Sequence, residues 1–376
     1  MPREARRALR LLCACAAVVA FTMSPSVAEA LPSSFWGVVP QVTPNLEQLQ
    51  RLKRGGVSSI RIPVVWPAVQ PIKNGAIDWS GIDAQVENAS RAGIAVLPFL
   101  VGAPAWAVPL VPVPGAGGSI KASRSLPVNG AAASGWSSFV SAAVARYRLG
   151  GSFWVTHPTV PPYPIRNWQI WNEENFEYFV ARPNPAEYGR LVELSYTAIK
   201  GVDPGAKVVL GGLFSRPGEA VLKRKPPLAY FATDFLEQMY ERTPGIKSKF
   251  QGIALHPYTS NFKRLTPYIE ELRTVLKANH DAGKGLWITE LGWSSQHPTP
   301  GNSFAKGLQG QATQLRGAFG LLRSNQRRWR LQQVDWFSVD DQIGSCNFCD
   351  GSGLFGKGFK PKPAWSAFTQ FAGGRP

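Results

Sequence analysis

Short apolar runs rich in β-branched and aromatic residues alternate with amphipathic helical stretches along almost the whole chain, and this alternation narrows the available folds more than any other feature. The strand candidates are Phe35–Val42, Val57–Trp66, Ala95–Gly102, Ile165–Asn175, Lys207–Phe214, Phe250–Tyr258, Leu286–Ser294 and Val334–Asp341. Several are continuously apolar, as strands covered on both faces are. Between them, Asn45–Arg54, Trp136–Tyr147, Ala186–Lys200, Tyr230–Arg242, Pro267–Ala278 and Gln309–Arg323 repeat apolar residues at three and four, the helical period. Strand, helix and strand in succession demand parallel pairing through crossovers. A closed barrel and an open doubly wound sheet share that local pattern, but no Gly-x-Gly-x-x-Gly follows the first strand, which disfavours a dinucleotide site. The expected fold class is α/β, a single (β/α)8 TIM barrel over residues 31–376.

The first thirty residues stand apart. Arg3, Arg6, Arg7 and Arg10 precede an apolar run from Leu11 to Met23 and the small-x-small triplet Ala28-Glu29-Ala30, the layout of a secretory signal peptide. The run is too short to span a bilayer, which takes about 20 apolar residues. A lipoprotein reading of Leu12-Cys13-Ala14-Cys15 is weaker, because Cys15 falls early in the run rather than after it. The expectation is a secreted, extracytoplasmic protein starting near Leu31, a monomer by default. Its two remaining cysteines, Cys346 and Cys349, lie in a Gly-rich loop and are expected to form a disulfide rather than a redox motif or half of a metal site.

The formal net charge is +17 on 376 residues. Such an excess favours association with polyanions such as an anionic envelope polymer. Basic runs interleaved with aromatics are missing, so no specific nucleic acid is expected. The densest basic cluster, Arg323 to Arg330, reads as the end of a solvated helix. One irregular stretch, Ala103–Gly135, follows the third strand and is long enough to be either a functional loop or a solvated insertion.

In a barrel, chemistry belongs to the C-terminal ends of the strands. The fourth ends in Trp168-Gln169-Ile170-Trp171-Asn172-Glu173-Glu174-Asn175, the seventh in Thr289-Glu290-Leu291-Gly292-Trp293, and the sixth in His256-Pro257-Tyr258. Arg61 ends the second and Trp336 the eighth. Cleaving an acetal takes one carboxylic acid to protonate the leaving oxygen and a second carboxylate to attack or to activate water. Glu173 and Glu290 fit those two tasks, with Arg61 as the cation that keeps one of them ionised. Glu174 is the rival for the acid role, but strand alternation sends neighbours in opposite directions. Trp66, Trp106, Trp293 and Trp336 are the tryptophans placed to floor sugar subsites.

These residues resemble glycoside hydrolase clan A, and within it Trp-Asn-Glu-Glu-Asn and Thr-Glu-Leu-Gly-Trp most resemble the family 39 and family 5 branches. The resemblance covers Phe35 to Phe371. It implies a retaining glycosidase in which Glu173 is the acid/base, Glu290 the nucleophile and Asn172 the partner of the reactive sugar's 2-hydroxyl. It further implies a polar shell of Arg61, His256 and Tyr258, an aromatic floor at Trp336, and neither metal nor organic cofactor. The substrate would be an oligo- or polysaccharide of the cell envelope or surroundings. Two other outcomes use the same residues or lose them: a transglycosylase with both glutamates, and a catalytically silent barrel that binds glycan or anionic polymer.

Overall fold

Eight parallel strands close on themselves, each bonded to its neighbours in sequence and the first to the eighth. They are β1 Trp36–Val39, β2 Ser59–Val65, β3 Ala95–Val101, β4 Asn167–Ile170, β5 Lys207–Phe214, β6 Gly252–His256, β7 Gly285–Leu291 and β8 Leu331–Phe337. The structure is a computed structural model and describes residues 31–111, 122–218, 222–342, 344 and 349–376. Residues Pro32–Pro376 form one unit. The signal-peptide reading concerns residues outside the described range, as does Cys346 of the expected Cys346–Cys349 pair; Cys349 itself is buried.

A helix follows every strand: α1 Leu46–Arg54, α2 Ser80–Ala92, α3 Gly130–Tyr147, α4 Pro185–Val202, α5 Ala232–Arg242, α6 Leu265–Ala278, α7 Gly307–Ser324 and α8 Pro363–Ala372. Local signals set their ends. Asn45 accepts from the Gln48 N–H while the Gln48 side chain accepts from the Asn45 N–H, a capping box on α1 that stabilises it by about 1 kcal/mol. Asn184 caps α4, with Pro185 at its first position. Gly93, at φ 69°, terminates α2 in the left-handed conformation.

Several boundaries differ from the sequence reading, among them β4, which covers only Asn167–Ile170 of the expected Ile165–Asn175. The stretch from Gly130 to Gly135 is the first turn and a half of α3 rather than loop, because Ala131, Ala132 and Ala133 outweigh the two glycines. The rest of that stretch holds a two-stranded ribbon, Ala103–Pro104 with Ala122–Ser123. Finally, β8 starts at Leu331, not Val334, and ends at Phe337: Gln333, a polar residue outside the expected strand, points into the barrel and donates to Asp335.

Side chains from alternate strand positions fill the barrel. Leu97, Val209, Ala254 and Trp287 pack as its apolar plug. The residues between them face outward onto the helices, where Trp36 stacks on Phe319 of α7 at 4.3 Å. Above the plug, at the C-terminal end, the inward residues turn polar: Arg61, Gln169, His256 and Thr289, all fully buried.

Candidate active site

Arg61 organises the mouth of the barrel. Its side chain is 0% exposed and spends its donors on β4, the link after it and β7: Nε on Gln169 Oε1 at 2.8 Å, Nη2 on Asn172 Oδ1 and Nη1 on Glu290 Oε1 at 2.7 Å. The Phe99 ring lies 4.0 Å from its Cζ. A buried guanidinium is tolerable only when so satisfied, and bidentate or forked bonding fixes its orientation. Because a guanidinium can only donate, the bond also fixes the Asn172 amide, oxygen toward Arg61, which leaves the N–H2 as the group Asn172 presents to a ligand.

Two β-bulges aim the remaining groups. In the β7–β8 ladder Ile288 pairs with Val334 and Leu291 with Trp336, so Thr289 and Glu290 together oppose Asp335. The extra residue turns Glu290 inward beside Thr289 instead of onto the helices. In the β5–β6 ladder Gly211 is the extra residue, and next to it Gly212 lets His256 approach: a Cβ there would stand 1.9 Å from the imidazole Nε2. After β4, Trp171 and Glu173 adopt positive φ of 69° and 42°, unusual for side-chain-bearing residues. The turn is held by Asn175, whose side chain bonds Phe214 N, Phe214 O and Tyr230 O.

The result is a pair of carboxyl groups in unequal surroundings. One oxygen of Glu173, one of Glu290 and one nitrogen of His256 lie within 4.8 Å of one another. Glu290 receives Arg61 on Oε1 and the Tyr258 hydroxyl on Oε2 at 2.9 Å. Glu173 Oε1 meets His256 Nδ1 at 2.8 Å, while His256 Nε2 meets Thr289 Oγ1 at 3.0 Å. Burial, seconded by the Arg61 charge, pushes His256 well below the usual histidine range, so the ring is neutral. Burial raises both carboxyls. Glu173 goes well above the ordinary range because the Glu290 charge adds to burial, whereas Arg61 and the Tyr258 hydroxyl hold Glu290 back. Glu173 is therefore the group that keeps a proton and Glu290 the one that ionises. Glu173, His256 and Glu290 are also spaced for a cation, but the Arg61 guanidinium already supplies a positive charge to Glu290.

No protein-family model matches the sequence, and no curated protein does. Solved structures do. A family 39 glycoside hydrolase from the gut symbiont Bacteroides cellulosilyticus superposes with a TM-score of 0.62 at 20% identity over 91% of this chain and 64% of that one. A monomeric β-xylosidase from Caulobacter crescentus gives 0.62 at 19%, over 90% and 68%. A GH5_18 protein from Bifidobacterium longum, solved in complex with Manβ1-4GlcNAc, gives 0.60 at 14%, over 90% and 78%. The chain has the barrel fold of these glycoside hydrolases. It spans just under two thirds of the length of the Bacteroides protein.

Within that barrel, the expected residues Arg61, Asn172, Glu173, His256, Tyr258 and Glu290 meet at one place, and the tryptophans do not. Trp66, Trp293 and Trp336 are each 1% exposed or less and offer no face to a ligand. Trp336 points outward, its Nε1 bonded to Ser352 O and its ring against Phe319 and Trp293. Trp293 bonds Thr259 O, and Trp66 stacks on Phe139 of α3. The inward positions of β8 are Gln333, Asp335 and Phe337, one residue out of phase with the tryptophan. Phe337 is half-buried with its ring 6.5 Å from that of Tyr258, and Phe214 and Phe304 flank the same tyrosine at 6.2 and 6.3 Å. Trp106 is partly exposed but sits against Trp66 in the ribbon loop, its Nε1 on Gln70 O.

Gln169, Thr289 and Phe337 were not singled out from sequence. The first two carry a signal in hindsight: each is a polar residue inside an apolar strand, which a buried position permits only with a partner.

Two predictions follow from these surroundings. Tyr258→Phe removes a donor that favours the Glu290 carboxylate, so the Glu290 pKa rises further and the acidic limb of a rate profile moves up by roughly one pH unit. A pH–kcat/KM profile of the two proteins checks it. Glu174, by contrast, turns away from Glu173 and is buried over Gly211 beside the Tyr188 hydroxyl, whose proton goes to Ile170 O. Burial raises it from 4.5 to about 8. Between those values the native state holds a proton that the unfolded state has lost, so stability falls as pH rises through that window. Urea unfolding at pH 5 and pH 8 should show a loss smaller by about 4 kcal/mol in Glu174→Gln than in the wild type.

Proposed function

We propose that the protein is a retaining O-glycoside hydrolase acting outside the cytoplasm on an oligo- or polysaccharide, with Glu173 as acid/base and Glu290 as nucleophile. The observation that carries this reading is the asymmetry of the pair: two donors, one of them cationic, on Glu290, against only the neutral His256 imidazole on Glu173. Carboxyl oxygens under 5 Å apart suit direct attack; an inverting enzyme needs about 6.5–9.5 Å between its carboxyl groups to admit water.

In the first step a Glu290 oxygen attacks the anomeric carbon, the bond to the leaving oxygen breaks, and the Glu173 proton passes to that oxygen. A covalent glycosyl ester and a free alcohol result. In the second step Glu173, now a carboxylate, takes a proton from water as the water oxygen displaces Glu290, which leaves a sugar of retained configuration and restores both groups. As the ester forms, the Arg61 and Tyr258 bonds to Glu290 weaken, and they re-form as the carboxylate departs. Asn172 offers its N–H2 to the 2-hydroxyl, and Phe337 provides the apolar floor. The chemistry draws on no metal or organic cofactor. Secretion after removal of residues 1–30, a Cys346–Cys349 bridge and a monomeric state complete the reading.

The test is the anomer released first. Proton NMR of fresh hydrolysate from a panel of aryl glycosides and oligosaccharides should show retained configuration, and inversion would contradict the assignment of Glu290 as nucleophile.

A further inference from the structure

We propose that the end of the barrel opposite the catalytic residues is a docking surface for an anionic lipid bilayer, on which the protein would sit with its active site facing away. The parallel topology sets the geometry: every link from a helix to the next strand lies at the N-terminal end of the barrel, and every link from a strand to its helix at the catalytic end.

Both ends carry a basic excess on their links, but they differ in acids, which are few on the helix-to-strand links and several on the strand-to-helix links. The α3–β4 link carries Arg148 and Arg166, and the α5–β6 link Lys247 and Lys249, neither with an acid. The α7–β8 link carries Arg327, Arg328 and Arg330, again with no acid of its own, although Arg328 pairs with Glu270 of α6; with Arg323 in the last turn of α7 and Arg327 and Arg328 on the exposed turn Gln326–Trp329, the dense cluster of the sequence is a solvated helix end, and it stands at this end of the barrel. Asp203 and Asp281 are the acids on the helix-to-strand links, and Asp281 is already engaged by the Tyr240 hydroxyl at 2.6 Å. At the catalytic end, acids on the strand-to-helix links, such as Glu177, Asp340 and Asp350, stand against the basic residues there.

Complementing the helix dipoles accounts for only part of this. Lys53 and Lys200, near the ends of α1 and α4, do bond link carbonyls, those of Gly93 and of Pro204 and Ala206. Arg148, Arg166 and Arg330, however, lie outside the helices, and Lys247 and Arg327 lie on the single turns Ile246–Lys249 and Gln326–Trp329; all five are exposed. A soluble polyanion would need only the charge. What favours a bilayer is that the α3–β4 link also exposes Leu149 and Val155, at 57% and 71%, between its two arginines. Apolar side chains standing among basic ones suit the boundary between headgroups and acyl chains. No helix among the described residues is long and apolar enough to cross a membrane, so the contact would be peripheral.

The experiment is co-sedimentation of the mature protein with vesicles of phosphatidylcholine, with and without one third phosphatidylglycerol. Binding is expected only to the anionic vesicles and should be lost between about 0.1 M and about 0.5 M NaCl. The quadruple variant Arg148→Glu, Arg166→Glu, Arg327→Glu, Arg330→Glu should weaken binding by at least about tenfold. The triple variant Lys223→Glu, Arg224→Glu, Lys225→Glu, at the catalytic end, should not. Leu149→Ser with Val155→Ser should weaken vesicle binding while leaving retention on soluble polyphosphate unchanged. Polyphosphate binding without vesicle binding, no binding to either, or equal loss in the Lys223–Lys225 variant would overturn the proposal. Vesicle binding is read independently of glycoside hydrolysis, so either reading can fail alone.

Discussion

Glu290→Gln is expected to lower turnover of every glycoside the protein hydrolyses by about 10⁴-fold or more, while leaving the fold intact. The amide matches the carboxylate in shape and still accepts the Arg61 N–H through its oxygen. It cannot attack an anomeric carbon, and it loses the charge that Arg61 was placed to hold. Two effects on stability oppose each other. A buried carboxylate is replaced by a neutral group, but the Arg61 guanidinium, 0% exposed, loses its anionic partner, and breaking one half of a buried pair usually costs about 3–5 kcal/mol. The bonds to Gln169 and Asn172 are kept, so the guanidinium loses its charge partner but none of its acceptors. Steady-state kinetics and a melting curve on one preparation separate the two effects: activity gone with the transition retained.

The companion expectation concerns Glu173→Ala, whose effect should depend on the leaving group. General acid catalysis contributes typically about 10²–10⁴-fold, so a sugar or alkyl leaving group, which needs the proton, should lose that much in kcat/KM. A dinitrophenolate, which departs without a proton, should lose little in the first step, and the glycosyl-enzyme should accumulate because no base activates water for the second. Azide needs no base. Adding it should restore turnover and yield a glycosyl azide of retained configuration, detectable by mass and NMR. The alkaline limb of the wild-type profile, which lies high because burial and Glu290 raise Glu173, should vanish in this variant. Equal loss for all leaving groups, with no azide effect, would mean that Glu173 only holds the site together.

The barrel could be read from sequence because its strands are bounded on both sides by helical periods, and a chain with that pattern has few other ways to bury its apolar runs. Glu173, His256, Tyr258 and Glu290 could be read because they are polar residues where apolar strands give out, and Arg61 because a charge inside an apolar strand demands an anionic partner. What escaped depends on single-residue phase. The bulge at Thr289 and Glu290 leaves no mark in composition, yet it decides whether Glu290 faces the barrel or the helices. The same one-residue phase separates Phe337, beside Tyr258, from Trp336, sealed against α7. Size misled as well: tryptophan suggests a sugar platform, but the gap between strand and helix layers also wants large rings, and Trp66, Trp293 and Trp336 fill it. The α3 boundary slipped for a different reason, since Gly130 and Gly135 mask a run of alanines that the packing of Trp136 and Phe139 makes helical.

The measurement that bears most directly on the central claim is intact-mass spectrometry of the protein after exposure to a panel of 2-fluoroglycosyl and cyclophellitol-type probes, with Glu290→Gln alongside. These reagents form the ester of the first step and release it slowly. The expected result is a single added probe mass on the wild type, mapped by peptide digestion to Glu290 and missing from the variant, with the reactive probe naming the sugar. A wild type that is labelled at another residue, or that stays unlabelled by every probe while hydrolysing a glycoside of the same sugar, would contradict the assignment.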